Sequence, residues 1–217
     1  MRQIRDKFIQ PANPRSLSAR ARARRWSVLL RHFPEIGSMH VLDLGGELRF
    51  WRAAPVRPEY VTMVNLKNVP DADEPWIRYV VGNACHAEFP TADYDIVISN
   101  SLLEHVGGPK ERHRLADVIH GAARRHWVQT PNRYFPIEPH WLFPGFQFLP
   151  FGARVFVTRT WPLGHRRHRN RKRAADSVAQ VELIGPGEMR RLFPTSLLWV
   201  ERLAGFPKSL VAIRSGT

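Results

Sequence analysis

Short, nearly unbroken apolar runs alternate along this chain with stretches of helical period, and that alternation predicts the architecture. Trp26, Leu29, Leu30 and Phe33 recur at i, i+3, i+4 and i+7, which predicts a helix reaching His32, capped by Ser16 or Ser18. Arg20, Arg24 and Arg31 fall on its solvated side. Val41–Leu44 then reads as a buried strand running into Gly45-Gly46, and Glu47–Ala54 as a short helix cut off by Pro55 and Pro58. Tyr60–Asn65, Ile77–Val81, Tyr94–Asn100 and Trp127–Thr130 read as four more strands, with a helix over Lys110–Arg124. The order predicts an α/β fold, a doubly wound parallel sheet.

Two stretches depart from this rhythm. Residues 1–15 carry Pro11 and Pro14 and read as a surface arm, and NVPDADEPW after the second strand reads as a loop. Residues 133–165 are dense in aromatics and prolines without a clean period, which predicts an inserted cap after the fifth strand rather than a sheet element. The basic run HRRHRNRKR at 165–173 is expected to be exposed and mobile. A short helix at Gly187–Phe193 and two strands, Leu197–Leu203 and Ser209–Arg214, joined by a turn at Gly205-Phe206-Pro207, close the chain.

At 217 residues the chain reads as one domain, divided into an N-terminal arm and helix (1–37), a core (38–132), the cap and basic run (133–186) and a closing unit (187–217). Its formal net charge of +14 predicts attraction to an anionic substrate group, a membrane surface or nucleic acid. MRQIRDKF lacks an apolar signal core and no run is long enough for a spanning helix, so a cytoplasmic place is expected, with possible peripheral contact to a membrane. A single cysteine, Cys85, excludes an internal disulfide framework and reads as a core residue.

The chemistry concentrates at strand ends. Asp43 stands at the C-terminal end of the first strand, where ligands bind in open α/β sheets, and the glycine pair lets a ligand approach the backbone. Asn65 ends the second strand about 20 positions later, near the spacing at which a polar side chain meets a ribose in nucleotide-binding βαβ units. The absence of Gly-x-Gly-x-x-Gly after the first strand argues against a nicotinamide dehydrogenase.

Four motifs in this order, VLDLGG, VTMVNL, VVGNA and YDIVISNSLLEHV, make the chain resemble the class I S-adenosylmethionine-dependent methyltransferases, of the type 11-like group related to small-molecule and lipid methyltransferases. The resemblance covers about residues 38–132 closely and 187–214 by topology. It implies a Rossmann-like, mostly parallel seven-stranded sheet whose last strand is antiparallel, and S-adenosylmethionine as cofactor. Asp43, Gly45 and Gly46 match the loop that holds the methionine part, and Asn65 the position that bonds the ribose hydroxyls. Asn83, with Ala84 beside it, matches the adenine site, Ser99 and Asn100 the strand end beside the sulfonium, and Glu104-His105 the Glu-His pair that follows. This chain departs from the pattern in Glu47-Leu48-Arg49, which replaces a third glycine and small residue, and in the two asparagines, which replace acids. Neutral hydrogen bonds are roughly half as strong as charge-assisted ones, so weakened cofactor binding is expected.

Methyl transfer to oxygen gains from a base, and histidine is the natural candidate. Among ten histidines, His105 follows the fourth strand and His140 lies in the cap beside Glu138; these two are the catalytic candidates. His126 reads as structural, and His165 and His168 as solvated. No pair shows ligand spacing with accompanying acids, so no metal is expected. Tyr134, Phe135, Trp141, Phe143, Phe146, Phe148 and Phe151 form either the cap's own core or an apolar acceptor pocket or a membrane-facing surface, with single-stranded nucleic acid ranked lower. The expected function is methyl transfer to a small-molecule or lipid-like acceptor, at oxygen. The alternative is a non-catalytic protein of the same fold that binds an anionic partner through its arginines.

Overall fold

In the computed structural model, residues 17–67, 74–87, 89, 93–164 and 167–216 are described. The arm over 1–15, Ser16, most of the loop after the second strand and His165 lie outside them. Leu17–His32 forms helix α1, so Ser18 falls inside the helix rather than at its cap. The apolar runs become β1 (His40–Leu44), β2 (Tyr60–Asn65), β3 (Ile77–Val81), β4 (Ile96–Asn100) and β5 (Arg125–Pro131). Helices α2 (Leu48–Arg52) and α3 (Pro109–Ala122) fall between them, α3 opening on a proline whose missing N–H costs nothing at a helix start.

The seven-stranded sheet has the order β3-β2-β1-β4-β5-β9-β8, where β8 is Leu197–Leu203 and β9 is Phe206–Arg214. Strands β1 to β5 pair in parallel, and β9 runs antiparallel to both β5 and β8. The hairpin turns at Ala204-Gly205, both with positive φ (49° and 84°), rather than at Gly205-Phe206-Pro207. Two residues in the left-handed region give a twist that matches the strands, so β9 begins at Phe206 and takes Pro207 into its first residues. The chain moves outward from β1 to β3 and then returns to lay β4 on the other side of β1. That reversal opens a crevice above the carboxyl ends of β1 and β4, the place where such sheets hold ligands.

Strand alternation assigns the residues of β1 to two layers. Leu42 and Leu44 pack with Leu115 and Ile119 of α3 and with Met189 and Leu192 of α6 (Pro186–Leu192). Val41 packs on the opposite face with Trp26 and Leu29 of α1, with Phe33 just after that helix and with Trp51 of α2. Asp43 shares that second face, and this is why it meets Trp51.

Between β5 and β8 the cap contains more order than its sequence suggests. Two short strands, β6 (Ile137–Glu138) and β7 (Phe143–Pro144), pair with each other, and two helices follow, α4 (Phe151–Thr160) and α5 (Arg171–Ala179). The C-terminal end of the basic run is therefore helical. Asn170 caps α5 by accepting from Arg173 N, while Ala174 and Val178 join Trp141, Phe146 and Val155 in a small core of the cap's own. Trp141 and Phe146 stack at 4.2 Å, whereas Tyr134, Phe148 and Phe151 are exposed. The aromatic segment thus divides between the cap's core and its surface.

Arg112 fastens the cap's end to the core. Its side chain is 2% exposed, and it donates to Glu188 (2.6 Å), Glu182 (2.9 Å) and the Gly107 carbonyl (2.9 Å). Breaking a buried pair by removing one partner costs about 3–5 kcal/mol, and solvent contact at Glu182 discounts this. Arg112→Ala is expected to lower stability by about 3 kcal/mol in chemical denaturation. A loss below about 1 kcal/mol would show that the ion pairs contribute little.

Candidate active site

The crevice is lined first by the turn after β1. Gly45 has φ +73°, and a Cβ there would lie 2.8 Å from Leu102 Cδ1. A Cβ on Gly46 would fall inside the Asp43 carboxylate. Both glycines are therefore required by local geometry, and they leave main chain exposed along one side of the crevice. Asp43 is fully buried; Oδ2 accepts from Trp51 Nε1 at 2.6 Å and Oδ1 makes no hydrogen bond. Burial pushes its carboxyl up to about 7, helped by the Glu47 charge and opposed by the Trp51 bond. A buried acid with one oxygen unpaired, beside a turn that permits close backbone approach, fits the cationic amino-acid end of S-adenosylmethionine.

The neighbouring strand ends complete this half. Asn65 donates through Nδ2 to Gly46 O (3.1 Å), which leaves its carbonyl oxygen as the acceptor for a ligand hydroxyl. Asn83 accepts from Cys85 N (3.0 Å), so its amide nitrogen is the group left to donate and its carbonyl could take only a second bond. Ala84 is buried beside it. Ser99 is fully buried and its hydroxyl donates to Leu44 O (3.2 Å), joining β4 to β1 rather than facing the crevice. Asn100 accepts from Trp127 Nε1 (3.2 Å) at the strand end.

The other half comes from the segment after β4 and from the cap. His105 and His140 are 35 positions apart in sequence, yet their Nε2 atoms lie 3.3 Å apart. Behind His140, Glu138 holds Nδ1 at 2.7 Å and accepts from the main-chain N–H groups of His140 (2.7 Å) and Trp141 (2.8 Å). Behind His105, Nδ1 is 3.3 Å from the Gln180 carbonyl. Glu104 is buried beneath the pair; Oε2 accepts from Thr130 (2.9 Å), and burial pushes the carboxyl up to about 7 against that bond and the nearby His140.

His126 stands apart from this group. Its Nε2 meets Ser196 Oγ at 2.7 Å, and burial, with the His120 and Arg214 charges, pushes it down to about 3. It is a neutral structural residue, as its strand position suggests. His168 N donates to Thr158 O (3.2 Å) in the cap.

Two contributors carry no signal in the sequence. Ser101 follows β4 with φ 56°, a conformation costly for a residue with a Cβ and concentrated at functional sites. It is fixed by Gln129, whose main-chain O accepts from Ser101 N (2.8 Å) and whose side-chain oxygen accepts from Ser101 Oγ (3.2 Å) and Arg25 (3.3 Å). Trp51 is the second: a tryptophan in a short helical stretch gives no hint that it will donate to the first strand's acid.

Comparison with known proteins agrees with this fold. A family model described as a methyltransferase domain matches residues 56–126. None of the curated proteins compared with the chain matches it. Among solved structures, the 1,6-didemethyltoxoflavin-N1-methyltransferase of Burkholderia thailandensis, bound to 1,6-didemethyltoxoflavin and S-adenosylhomocysteine, superposes with a TM-score of 0.56 at 15% identity, over 90% of this chain and 79% of its own. An S-adenosylmethionine-dependent methyltransferase from Mesorhizobium loti gives 0.55 at 16% identity, over 91% and 99%. Phosphoethanolamine N-methyltransferase 2 of Haemonchus contortus, in complex with S-adenosylmethionine, gives 0.53 at 15% identity, over 82% and 38%. The structures share the fold. The chain has the fold of the class I S-adenosylmethionine-dependent methyltransferases, and residues 56–126 match a methyltransferase domain.

Proposed function

We propose that the chain methylates an oxygen atom of a small-molecule acceptor held between the crevice and the cap. Asp43, Gly45 and Gly46 hold the methionine part of the cofactor, Asn65 the ribose and Asn83 with Ala84 the adenine edge. Bound there, S-adenosylmethionine supplies an activated methyl group whose leaving thioether is neutral. Ser101 and Asn100 border the space between cofactor and acceptor, and Ser99 acts by fastening β4 to β1.

The observation that carries the choice of oxygen is the meeting of His105 with His140. Glu138 fixes the His140 proton on Nδ1, which leaves Nε2 to accept one from an acceptor hydroxyl. A nitrogen acceptor needs no strong base, and this arrangement would then have no task. Glu138 also borders a cavity of about 240 Å³ in the cap, lined by Trp141, Phe146, Phe151, Arg133 and Arg154. Its aromatic and cationic walls suit a flat acceptor with an anionic group, in keeping with the chain's net charge. The toxoflavin and phosphoethanolamine enzymes act on small molecules, and their names place the methyl on nitrogen, so the acceptor atom is this chain's own.

Calorimetric titration with S-adenosylmethionine and S-adenosylhomocysteine is expected to give one site per chain in the micromolar range. Labelled-methyl transfer to a panel of phenols, carboxylic acids and amines should yield O-methyl product, with His140→Ala lowering kcat by roughly 10²–10⁴-fold and leaving cofactor affinity unchanged. Methylation of amines by both wild type and His140→Ala at equal rates would overturn the oxygen assignment.

A further inference from the structure

The cap cavity carries a charge pattern that its aromatic walls do not require. Of the described residues that line it, four are charged: Arg133, Glu138, Arg154 and Glu182. Both carboxylates already have partners. Glu138 accepts from His140 Nδ1 and from the main-chain N–H groups of His140 and Trp141, and Glu182 accepts from Arg112. Neither guanidinium has an ion pair or a hydrogen-bond acceptor among the described residues. Arg154 is instead held over the Phe151 ring, 5.8 Å from its centroid, a contact that fixes the guanidinium without occupying its N–H donors. Two further donors of the lining residues are buried without a partner, Arg154 Nε and the Nε1 of Trp141, a side chain only 1% exposed. A buried donor left unpaired costs free energy that an oxygen of a ligand recovers. The cavity is thus satisfied in acceptors of charge and short of anions.

We propose that this cavity binds an aromatic oxyanion, a single ring bearing a carboxylate or a phosphate monoester, and that Arg154 and Arg133 are the residues that select it. The planar fork of a guanidinium matches such a group with two parallel bonds. Trp141 and Phe146, stacked with centroids 4.2 Å apart, give the ring a flat apolar wall. An apolar cavity of about 150 Å³ takes a benzene, so the cap's cavity of about 240 Å³ has room for one ring with its acid group. With the cavity assigned to the methyl acceptor, a reading on which this one rests, the acceptor becomes a hydroxylated aromatic acid. Its place also touches the base. Glu138 holds His140 Nδ1 at 2.7 Å, and the Gln180 carbonyl, between the lining residues Ala179 and Val181, lies 3.3 Å from His105 Nδ1. A neutral molecule of the same shape is rejected because the arginines are then left without an acceptor.

The full-length protein is titrated calorimetrically with 4-hydroxybenzoate, phenyl phosphate and the neutral 4-hydroxybenzamide, with and without saturating S-adenosylhomocysteine. One site per chain is expected, the better anion binding about 10–100-fold more tightly than the amide, and which anion that is names the oxyanion. Arg154→Gln should lower its affinity to that of the amide, and Arg154→Lys should recover part of the loss, while circular dichroism stays that of the wild type. Arg159→Gln removes an exposed charge from the same helix and should bind as wild type. Arg133→Gln, on a separate segment, tests the cavity should Arg154→Gln fail to fold. No anion binding by the folded wild type, equal affinity for anions and amide, or anion binding unchanged in both Arg154→Gln and Arg133→Gln overturns the proposal. Its failure is separable from that of the oxygen assignment. Anion binding that Arg154→Gln removes, together with an N-methyl product, would sink the oxygen assignment alone. O-methylation of 4-hydroxybenzoate and 4-hydroxybenzamide at equal kcat/KM, by wild type and Arg154→Gln alike, would sink the oxyanion site alone.

Discussion

Replacing Gly46 by alanine is expected to abolish cofactor binding, with no heat detectable at concentrations that saturate the wild type. The added Cβ would occupy the position of the Asp43 carboxylate, and that group has little room to yield. It is fully buried and tied to Trp51, itself packed against Phe50 and Trp26. The turn must therefore shift, and with it Gly46 O, which holds Asn65, and Gly45, which already sits against Leu102. One methyl group thus disturbs every residue assigned to the methionine and ribose ends. A folded variant that binds S-adenosylhomocysteine within threefold of wild type would place the cofactor elsewhere.

The second large effect is the pH dependence of Asp43→Asn. Asp43 titrates near 7 in the folded chain against an ordinary 3.8, so the folded state holds an extra proton between about pH 4 and pH 7. Wild-type stability from this group is highest below pH 4 and falls as pH rises through 7. The full difference corresponds to about 4 kcal/mol at 1.36 kcal/mol per unit. Asparagine has the same shape and its carbonyl can still accept from Trp51, but it carries no charge. Asp43→Asn is therefore expected to be more stable than wild type by up to about 4 kcal/mol at pH 8 and indistinguishable from it near pH 4, in urea denaturation. Its cofactor affinity should fall, because the cationic methionine end loses its counter-charge. Wild-type affinity should rise with pH through about 7, and that of the variant should stay flat. Equal stability gains at pH 4 and pH 8 would mean that the Asp43 charge is not the cause. An acid kept at a cost to folding is what a binding function would preserve.

Reading the sequence located the strands because burial on both faces of a parallel sheet demands continuous apolar runs, and such runs are local. Val41–Leu44, Tyr60–Asn65 and Ile77–Val81 lie within a residue of their strands for that reason. The cap is less legible in the sequence. Helices α4 and α5 bury only one narrow side each, on a small core whose partners are Trp141 and Phe146, so their apolar period is faint and the arginines of 165–173 obscure it. Ser99 illustrates a different limit: the motif places it in β4, but whether its hydroxyl faces the crevice or the next strand depends on the pairing of β4 with β1.

The sequence by itself determined the sheet, the glycine turn and the candidate imidazoles, since each depends on residue type and near neighbours. Tertiary structure alone decided that Trp51 donates to Asp43, that Ser101 adopts a left-handed conformation, and that Glu104, His105 and His140 converge. Those facts depend on where a long insertion folds back. The packing of the whole chain sets that, and no local pattern records it.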